Sequence, residues 1–251
     1  MGKFYDGQDG PDDGVIHLRP MTGEEEQILA TPRFVKNGKA INMIFNRCMQ
    51  EAQTNGFDAS NFLTQDRTYM LIFLRGISYS TNYDVEVRDP DSDQKFAHTI
   101  SLSNDIFVDY CPDTFSMNQL EGTLPTSGYS YRYRMSRGRD EQDVNRYREF
   151  RIKGFDTAGQ ADDTLLYRTA MLIEDLEGLT DTDDIMVLLK KLPINDVNHL
   201  RNVVNEPPFG VNTTVEITSP YTLQEFEIEL PLEANFFFPR GRKNQTPNKQ
   251  Q

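Results

Sequence analysis

The spacing of apolar residues changes within residues 63–100. From 63 to 77 the apolar side chains recur at helical intervals, which predicts a buried helix. Beyond residue 82 the period falls to two, so residues 85–87 and 96–100 are predicted to be β-strands. The aspartate- and proline-containing stretch 89–93 between them is typical of a turn. This part of the sequence therefore predicts a helix followed by a β-hairpin.

The hairpin pattern occurs a second time, 130 residues later. The repeated side chains are Val85, Val87, Pro90, Gln94 and Phe96 in the first copy, and Val215, Ile217, Pro220, Gln224 and Phe226 in the second. Alternation alone accounts for the apolar positions, but it does not place a proline and a glutamine at matching sites. We therefore interpret the two hairpins as copies of one duplicated unit.

A second repeat precedes each hairpin. Residues 18–27 resemble residues 133–142 at an offset of 115, and both segments predict a strand, a glycine turn and an acidic helix start. In the first segment Thr22 and Glu25 have the spacing of a capping box. The two offsets differ by 15 residues, which indicates a net insertion in the second half.

These patterns predict an α+β fold built from two pseudo-repeats, each with a strand, several helices and a hairpin. The predicted halves are residues 15–118 and 119–239, between a flexible acidic tail at 1–14 and a flexible basic tail at 240–251. Other predicted helices are 22–30, 38–53, 139–150, 180–192 and 195–205, and other predicted strands are 15–19 and 129–135.

Composition indicates which classes of partner the protein is not expected to bind. The 251 residues carry a net charge of −13, so a phosphate backbone would be repelled and nucleic acid is disfavoured as a partner. No apolar run approaches the roughly 18 residues of a membrane-spanning helix, and the N-terminal residues lack the apolar core of a signal peptide. We therefore expect no membrane partner, and a chain that is made and used in a cytoplasm.

Metal-binding motifs are incomplete. His17, His98 and His199 share no ligand spacing with one another or with the two cysteines. The sequence from Asp89 begins like a calcium loop, but Gln94 and Ile100 stand where glycine and glutamate are required. Cys48 lies on the apolar face of a predicted helix, which favours a core role over a reactive thiol.

Catalytic motifs are also missing. The sequence has no nucleophile elbow and no glycine-rich phosphate loop. Carboxylates are abundant, so an acid–base pair assembled only in space stays possible. No catalytic residue and no cofactor are predicted.

Several ordered motifs resemble the T4-like phage baseplate hub assembly proteins of contractile tails. They lie at residues 19–32, 63–79, 83–87, 124–128 and 236–239, so the resemblance covers most of residues 16–239. No one motif is diagnostic, but their order is. The resemblance implies a non-enzymatic protein that acts in baseplate hub formation, with other hub proteins and the tape-measure protein as partners. It implies a place in the virion or, for a transient assembly chaperone, in the host cytoplasm, and leaves these two alternatives and the oligomeric state open.

One departure from the family concerns its hairpin turns. Many relatives carry Cys-Pro-x-Cys there, as in zinc ribbons, whereas the corresponding positions here are Asp89, Ser92, Ser219 and Thr222. The hairpins are thus predicted to be zinc-ribbon-like without the metal, and aromatic residues such as Phe96 and Phe226 are expected to hold the turns.

The aromatic segment Phe236, Phe237 and Phe238 has two alternative roles. Either all three side chains pack as core, or one of them anchors a partner, because exposed aromatic clusters usually mark contact sites.

Two other function classes stay open from the sequence. One is a degenerate zinc-ribbon adaptor in nucleic-acid processing, against which the charge of −13 counts. The other is an enzyme whose carboxylates converge only in the folded chain.

Overall fold

A computed structural model describes residues 5, 9–10, 14–36, 39–49, 57–115, 120–154, 162–206, 209–232 and 236–237. The chain divides into two compact units. The first combines Met1–Met70 with Val108–Val211, and the second combines Leu71–Phe107 with Asn212–Gln251. Each unit takes residues from both predicted halves, 15–118 and 119–239. The halves therefore stay a prediction about duplication, and the compact units have different boundaries.

The described residues contain eight α-helices and nine short strands, which makes the fold α+β. The helices are α1 (Gly23–Leu29), α2 (Pro32–Lys36), α3 (Ala40–Cys48), α4 (Thr64–Ser78), α5 (Gly138–Gly154), α6 (Thr164–Ala170), α7 (Thr182–Leu189) and α8 (Ile194–Asn205), with a 3₁₀ helix at Ala59–Asn61. The strands are β1 (Asn82–Arg88), β2 (Lys95–Ser101), β3 (Phe107–Asp109), β4 (Glu121–Thr123), β5 (Ser130–Tyr133), β6 (Ile173–Leu176), β7 (Gly210–Asn212), β8 (Thr214–Thr218) and β9 (Glu225–Glu229).

Most predicted elements are present, with two differences. The strand predicted at 15–19 is only an isolated bridge between Leu18 and Met49. The helix predicted at 38–53 is described only as α3, which ends at Cys48, while a separate short helix, α2, begins at Pro32. Proline suits the first turn of a helix because its missing N–H would have no partner there.

The first unit has its apolar core around the antiparallel sheet β4–β5–β6. Helix α7 contributes its apolar face to this core because Ile185, Met186 and Leu189 recur at helical spacing. The buried residues of this core are Leu124, Tyr131, Ala170, Ile173, Leu176, Ile185, Met186, Leu189 and Leu200.

The predicted capping box begins α1. The Thr22 amide donates to the Glu25 carboxylate over 2.8 Å, and the Thr22 hydroxyl accepts from the Glu24 amide over 3.4 Å. Arg19 adds two parallel bonds to the same carboxylate, of 3.1 and 3.0 Å. The Arg19 hydrogen bond is the main reason why the pKa of the buried Glu25 carboxyl falls to about 2.

The start of α5 repeats this arrangement at the predicted offset of 115. Arg134 donates two bonds of 2.8 and 2.9 Å to the Asp140 carboxylate, which also accepts from the Arg137 amide over 2.7 Å. In both copies a carboxylate in the first turn of the helix is bound by an arginine six residues upstream. Matching local geometry of this kind is what a duplication would produce.

The two hairpins of the second unit share one register. Their corresponding pairs are Val85–His98 and Val87–Phe96 in the first hairpin, and Val215–Ile228 and Ile217–Phe226 in the second. The four first-strand residues are all buried, since alternate side chains of a strand point to one face. The repeated hairpin residues therefore occupy equivalent strand positions.

The predicted tails are described only in part. Tyr5 lies within the tail predicted to be flexible, yet its side chain is buried in the first unit with 3% exposure. Flexibility of the tail stays a prediction, but the sequence pattern did not reveal the hydrogen-bond partners and the aromatic neighbour of the Tyr5 phenol. The basic tail at 240–251 lies outside the described residues.

Candidate functional site

The candidate site consists of the two hairpin turns of the second unit. It contains Asp89 and Ser92 from the first turn and Ser219 and Thr222 from the second. We call these four residues the turn cluster. They are the positions at which the resemblance places cysteines in zinc-binding relatives.

In the first turn a carboxylate oxygen organises the backbone. Asp89 Oδ1 accepts hydrogen bonds from the Asp91 and Ser92 amides, over 2.7 and 3.0 Å. The Asp89 amide donates to the Gln94 carbonyl over 2.9 Å, and the Asp93 amide donates to the Asp89 carbonyl over 3.0 Å. Asp93 adopts a φ of 59°, which aspartate tolerates better than most residues.

The second turn has the same hydrogen bonds with a hydroxyl in place of the carboxylate. Ser219 Oγ accepts from the Tyr221 and Thr222 amides, over 3.1 and 3.2 Å. The Ser219 amide donates to the Gln224 carbonyl over 2.9 Å, and Leu223 has a φ of 59°. The two turns are therefore equivalent in backbone conformation and differ in the side chain that caps them.

Asp89 joins the two turns. The Ser219 hydroxyl donates a very short hydrogen bond to Asp89 Oδ2, and the Thr222 hydroxyl donates to the same oxygen over 3.0 Å. Asp89 and Ser219 are both fully buried. A buried carboxylate is costly unless its oxygens are hydrogen-bonded, and here the two oxygens accept four bonds.

These bonds also set the charge of the cluster. The Ser219 hydroxyl, followed by the Ser92 amide, holds the pKa of the Asp89 carboxyl well below its usual range, although burial acts in the opposite direction. Asp89 is therefore ionised at neutral pH and acts as an acceptor for all four donors.

The side chains of Ser219 and Thr222 thus converge on the Asp89 carboxylate, and the Ser92 side chain does not. The Ser92 hydroxyl is buried and makes no hydrogen bond within the described part of the chain. Its backbone amide, by contrast, is one of the four donors to Asp89.

The residues present do not fit a zinc ion. Zinc requires about four convergent thiolate, imidazole or carboxylate ligands, whereas this cluster has one carboxylate whose oxygens are already used. The hydroxyls of Ser219 and Thr222 are neutral groups that donate hydrogen bonds to Asp89, so they do not replace thiolate ligands. Among the described residues, no group of three or more histidine, cysteine, aspartate or glutamate side chains is placed to hold a metal.

Aromatic contacts support the turns, as the sequence predicts. The Phe96 ring meets the Phe226 and Tyr221 rings edge to face, with centroid distances of 6.4 and 6.1 Å. The Tyr221 hydroxyl also donates to the Lys95 carbonyl over 3.2 Å. The polar bridge through Asp89 was not predicted from the sequence. The available signal was that all four matched turn positions carry oxygen-bearing side chains.

The aromatic segment near the end of the chain packs inside the second unit. Phe236 and Phe237 are 1% and 2% exposed. Arg75 Nε donates to the Phe236 carbonyl over 2.7 Å, and the Tyr83 ring meets the Phe236 ring edge to face at 5.1 Å. This burial favours the core alternative for both residues over partner binding, and Phe238 lies outside the described residues.

Other groups with reactive potential serve structural roles. Burial raises the pKa of the Cys48 thiol to about 11, so the thiol stays protonated. His199 shares a hydrogen bond of 2.9 Å with the Tyr131 hydroxyl. None of the helices in the described ranges has both the length and the apolar character needed to cross a membrane.

Comparison with known proteins agrees with the baseplate resemblance seen in the sequence. A family model described as T4 bacteriophage base plate protein matches residues 7–238. The chain belongs to this family. It is accordingly a structural protein of the bacteriophage tail baseplate, and its partners are other phage tail proteins. Searches of curated proteins and of solved structures gave no match.

Proposed function

We propose that this baseplate protein acts without enzymatic activity in forming the hub of a contractile phage tail. Its contacts would be made with other hub proteins and with the tape-measure protein. The observation that carries the proposal is the family match over residues 7–238, which covers most of each unit.

The use of the buried carboxylates supports a structural role. Glu25 and Asp140 are bound by arginines, Asp89 bridges the hairpin turns, and Asp196 accepts from the Thr126 and Ser127 amides over 2.8 and 2.9 Å. Acid–base catalysis needs a carboxyl group that can reach a substrate. These four are committed to internal hydrogen bonds that hold turns and helix starts.

Exposed apolar side chains offer surface for protein contacts. A few residues usually supply most of the binding energy of a protein interface, and exposed apolar side chains are candidates for this role. Among the described residues the most exposed examples are Phe107, Tyr110, Phe150, Leu165, Ile194 and Leu223, with exposures from 62% to 82%.

Affinity purification from infected cells tests the proposed contacts. A tagged full-length chain is expected to retain hub and tape-measure proteins. Each of the six exposed residues is then changed singly to aspartate, and thermal unfolding identifies the variants that keep wild-type stability. At least one stable variant should lose a partner, and retention of no tail protein by the wild-type chain would contradict the proposal.

Mass spectrometry of purified particles separates the two possible fates of the protein. Peptides of the chain at a level comparable with other baseplate proteins would place it in the virion. Their presence only in infected-cell lysate, together with hub proteins, would make it an assembly chaperone that acts in the host cytoplasm.

A further inference from the structure

The first unit contains an occupied tyrosine pocket. The Tyr5 side chain is 3% exposed, and its ring meets the Phe62 ring edge to face with a centroid distance of 5.8 Å. The guanidinium carbon of Arg137 lies 5.6 Å from the centroid of the Tyr5 ring, within the range of a cation–π contact.

Both polar functions of the phenol are used in this pocket. The Tyr5 hydroxyl donates to Asp66 Oδ2 over 2.6 Å and accepts from the Leu63 amide over 2.8 Å. Burial and the neighbouring Asp66 raise the pKa of the Tyr5 hydroxyl, so it remains a donor at neutral pH. A site built to hydrogen-bond a hydroxyl discriminates strongly against a ligand that lacks it, so this pocket selects tyrosine over phenylalanine.

A second anchor lies four residues further along the chain. Asp9 accepts a hydrogen bond of 2.8 Å from Arg137 and one of 3.2 Å from the Asn61 side chain. The Asp9 amide donates to the Tyr5 carbonyl over 3.3 Å, which brings both anchors to the same surface. At Gly10 a Cβ would lie 2.8 Å from the Tyr5 ring, so glycine is required for the close approach.

The receiving surface has its own backbone support. The Thr64 amide donates to the Ser136 carbonyl over 2.9 Å, and the Gly138 amide donates to the Phe62 carbonyl over 3.0 Å. Neither bond involves Tyr5 or Asp9. The pocket is therefore held open by the meeting of the α4 and α5 starts, and it should keep its shape when the anchors leave.

We propose that this surface, formed by Asn61, Phe62, Leu63, Asp66 and Arg137, is a binding site for a segment with tyrosine and aspartate four residues apart. Here the chain's own Tyr5 and Asp9 fill the site. A second copy of the chain carries the same two anchors, and the contacts are chemically identical whichever copy supplies them. The site would thus accept the segment of a second copy when its own is displaced, independently of the hub assignment.

Peptide binding to the full-length chain tests the site. Tyr5→Ala empties the pocket and keeps its walls, so the variant should bind a fluorescent peptide of residues 1–14 with one-to-one stoichiometry. The wild-type chain should bind the peptide at least about tenfold more weakly, because its own segment competes at high effective concentration. A peptide with Tyr5→Phe should also lose at least about tenfold in affinity, because it cannot bond Asp66 or Leu63.

A second variant keeps the test valid if Tyr5→Ala misfolds. Tyr5→Phe in the full chain keeps the ring and loses both hydroxyl bonds, so it should bind the wild-type peptide more tightly than the wild-type chain does. Circular dichroism establishes that each variant is folded. Failure of both folded variants to bind the peptide, or equal affinity for the tyrosine and phenylalanine peptides, would overturn the site.

Exchange between copies is tested with complementary variants. Tyr5→Ala supplies an empty pocket, and Arg137→Glu supplies an intact segment with a pocket that repels Asp9. The mixture should contain a heterodimer by sedimentation velocity that neither variant forms alone. If the peptide binds but the mixed variants do not associate, exchange between copies is overturned.

Discussion

One carboxylate links two turns whose capping residues are 130 positions apart in the sequence. Asp89 accepts hydrogen bonds from two amides of its own turn and from two hydroxyls of the other turn, so these four donors offset its charge. Hydrogen bonds to an ionised acceptor are stronger than those between neutral groups. At the residue scale, this bridge connects the two hairpins directly, at the positions where the family resemblance implies thiolates.

The Asp89 bridge predicts a large difference between two substitutions in one turn. Asp89→Ala removes the shared acceptor and leaves buried donors unpaired, so the variant should unfold several degrees below the wild-type chain. Asp91→Ala is the matched control because Asp91 is exposed in the same turn, and its melting temperature should stay near the wild-type value. Equal melting temperatures for the two variants would exclude the bridge as a stabilising feature.

The depressed pKa of Asp89 also predicts a pH dependence. A folded-state pKa below the ordinary value of about 3.9 means that the stabilisation is complete above that value and declines as the pH falls. The difference in melting temperature between the wild-type chain and Asp89→Asn should therefore shrink as the pH is lowered from about 5 to 2. Glu25 loses stabilisation in the same range, but it does so in both proteins, so the difference reports Asp89. A difference that stays constant or grows on acidification would contradict this assignment.

At the scale of elements, the two similar helix starts are not interchangeable. Gly23 begins α1 and Gly138 begins α5. Nothing lies within 4 Å of a Cβ at Gly23, whereas a Cβ at Gly138 would overlap the Arg67 guanidinium. Arg67 is buried and donates to the Ala59 carbonyl over 2.6 Å, so it has little freedom to move away.

This asymmetry predicts opposite outcomes for one substitution. Gly138→Ala should destabilise the chain by about 1–3 kcal/mol, the usual cost of overpacking a buried site. Gly23→Ala should be neutral or stabilise by up to about 1 kcal/mol, because alanine restricts the unfolded chain without a clash. Urea unfolding of both variants measures the difference, and equal stabilities would show that Arg67 moves aside at little cost.

The aromatic segment predicts a second matched pair. Phe236→Ala should cost about 3–5 kcal/mol, because it removes a ring that is 1% exposed and contacts Tyr83 and Arg75. Phe107→Ala, in the same unit but at 65% exposure, should change the stability little. Thermal unfolding measures both stabilities. A Phe236→Ala variant as stable as the wild-type chain would show that this ring does not contribute to the core.

Elements with a strong local signal were predictable, and those fixed by distant contacts were not. The capping box at Thr22, the long helix α4 and both hairpins follow from short-range pattern, and the structure contains all of them. The burial of Tyr5 depends on Asp66 and Leu63, about 60 residues away, so a polar local sequence concealed it. The bridge from Asp89 to Ser219 was missed for the same reason, although its four positions were identified.

At the scale of the whole molecule, the sequence predicted the family and the mixed fold but not the compact units. A duplication seen in sequence suggests two successive halves, yet the two hairpins lie together in one unit, and both arginine–carboxylate helix starts lie in the other. Spatial grouping is decided by which apolar faces pack together, and sequence order does not specify this.

Interruption of the gene in the phage, with complementation in trans, tests whether the protein is needed for baseplate hub formation. The measurement is the protein composition of tails purified from cells infected by the mutant, determined by mass spectrometry. Hub proteins are expected to be missing from these tails and to return when the wild-type gene is supplied. Tails from the mutant that contain the full set of hub proteins at wild-type levels would contradict a role in baseplate hub formation.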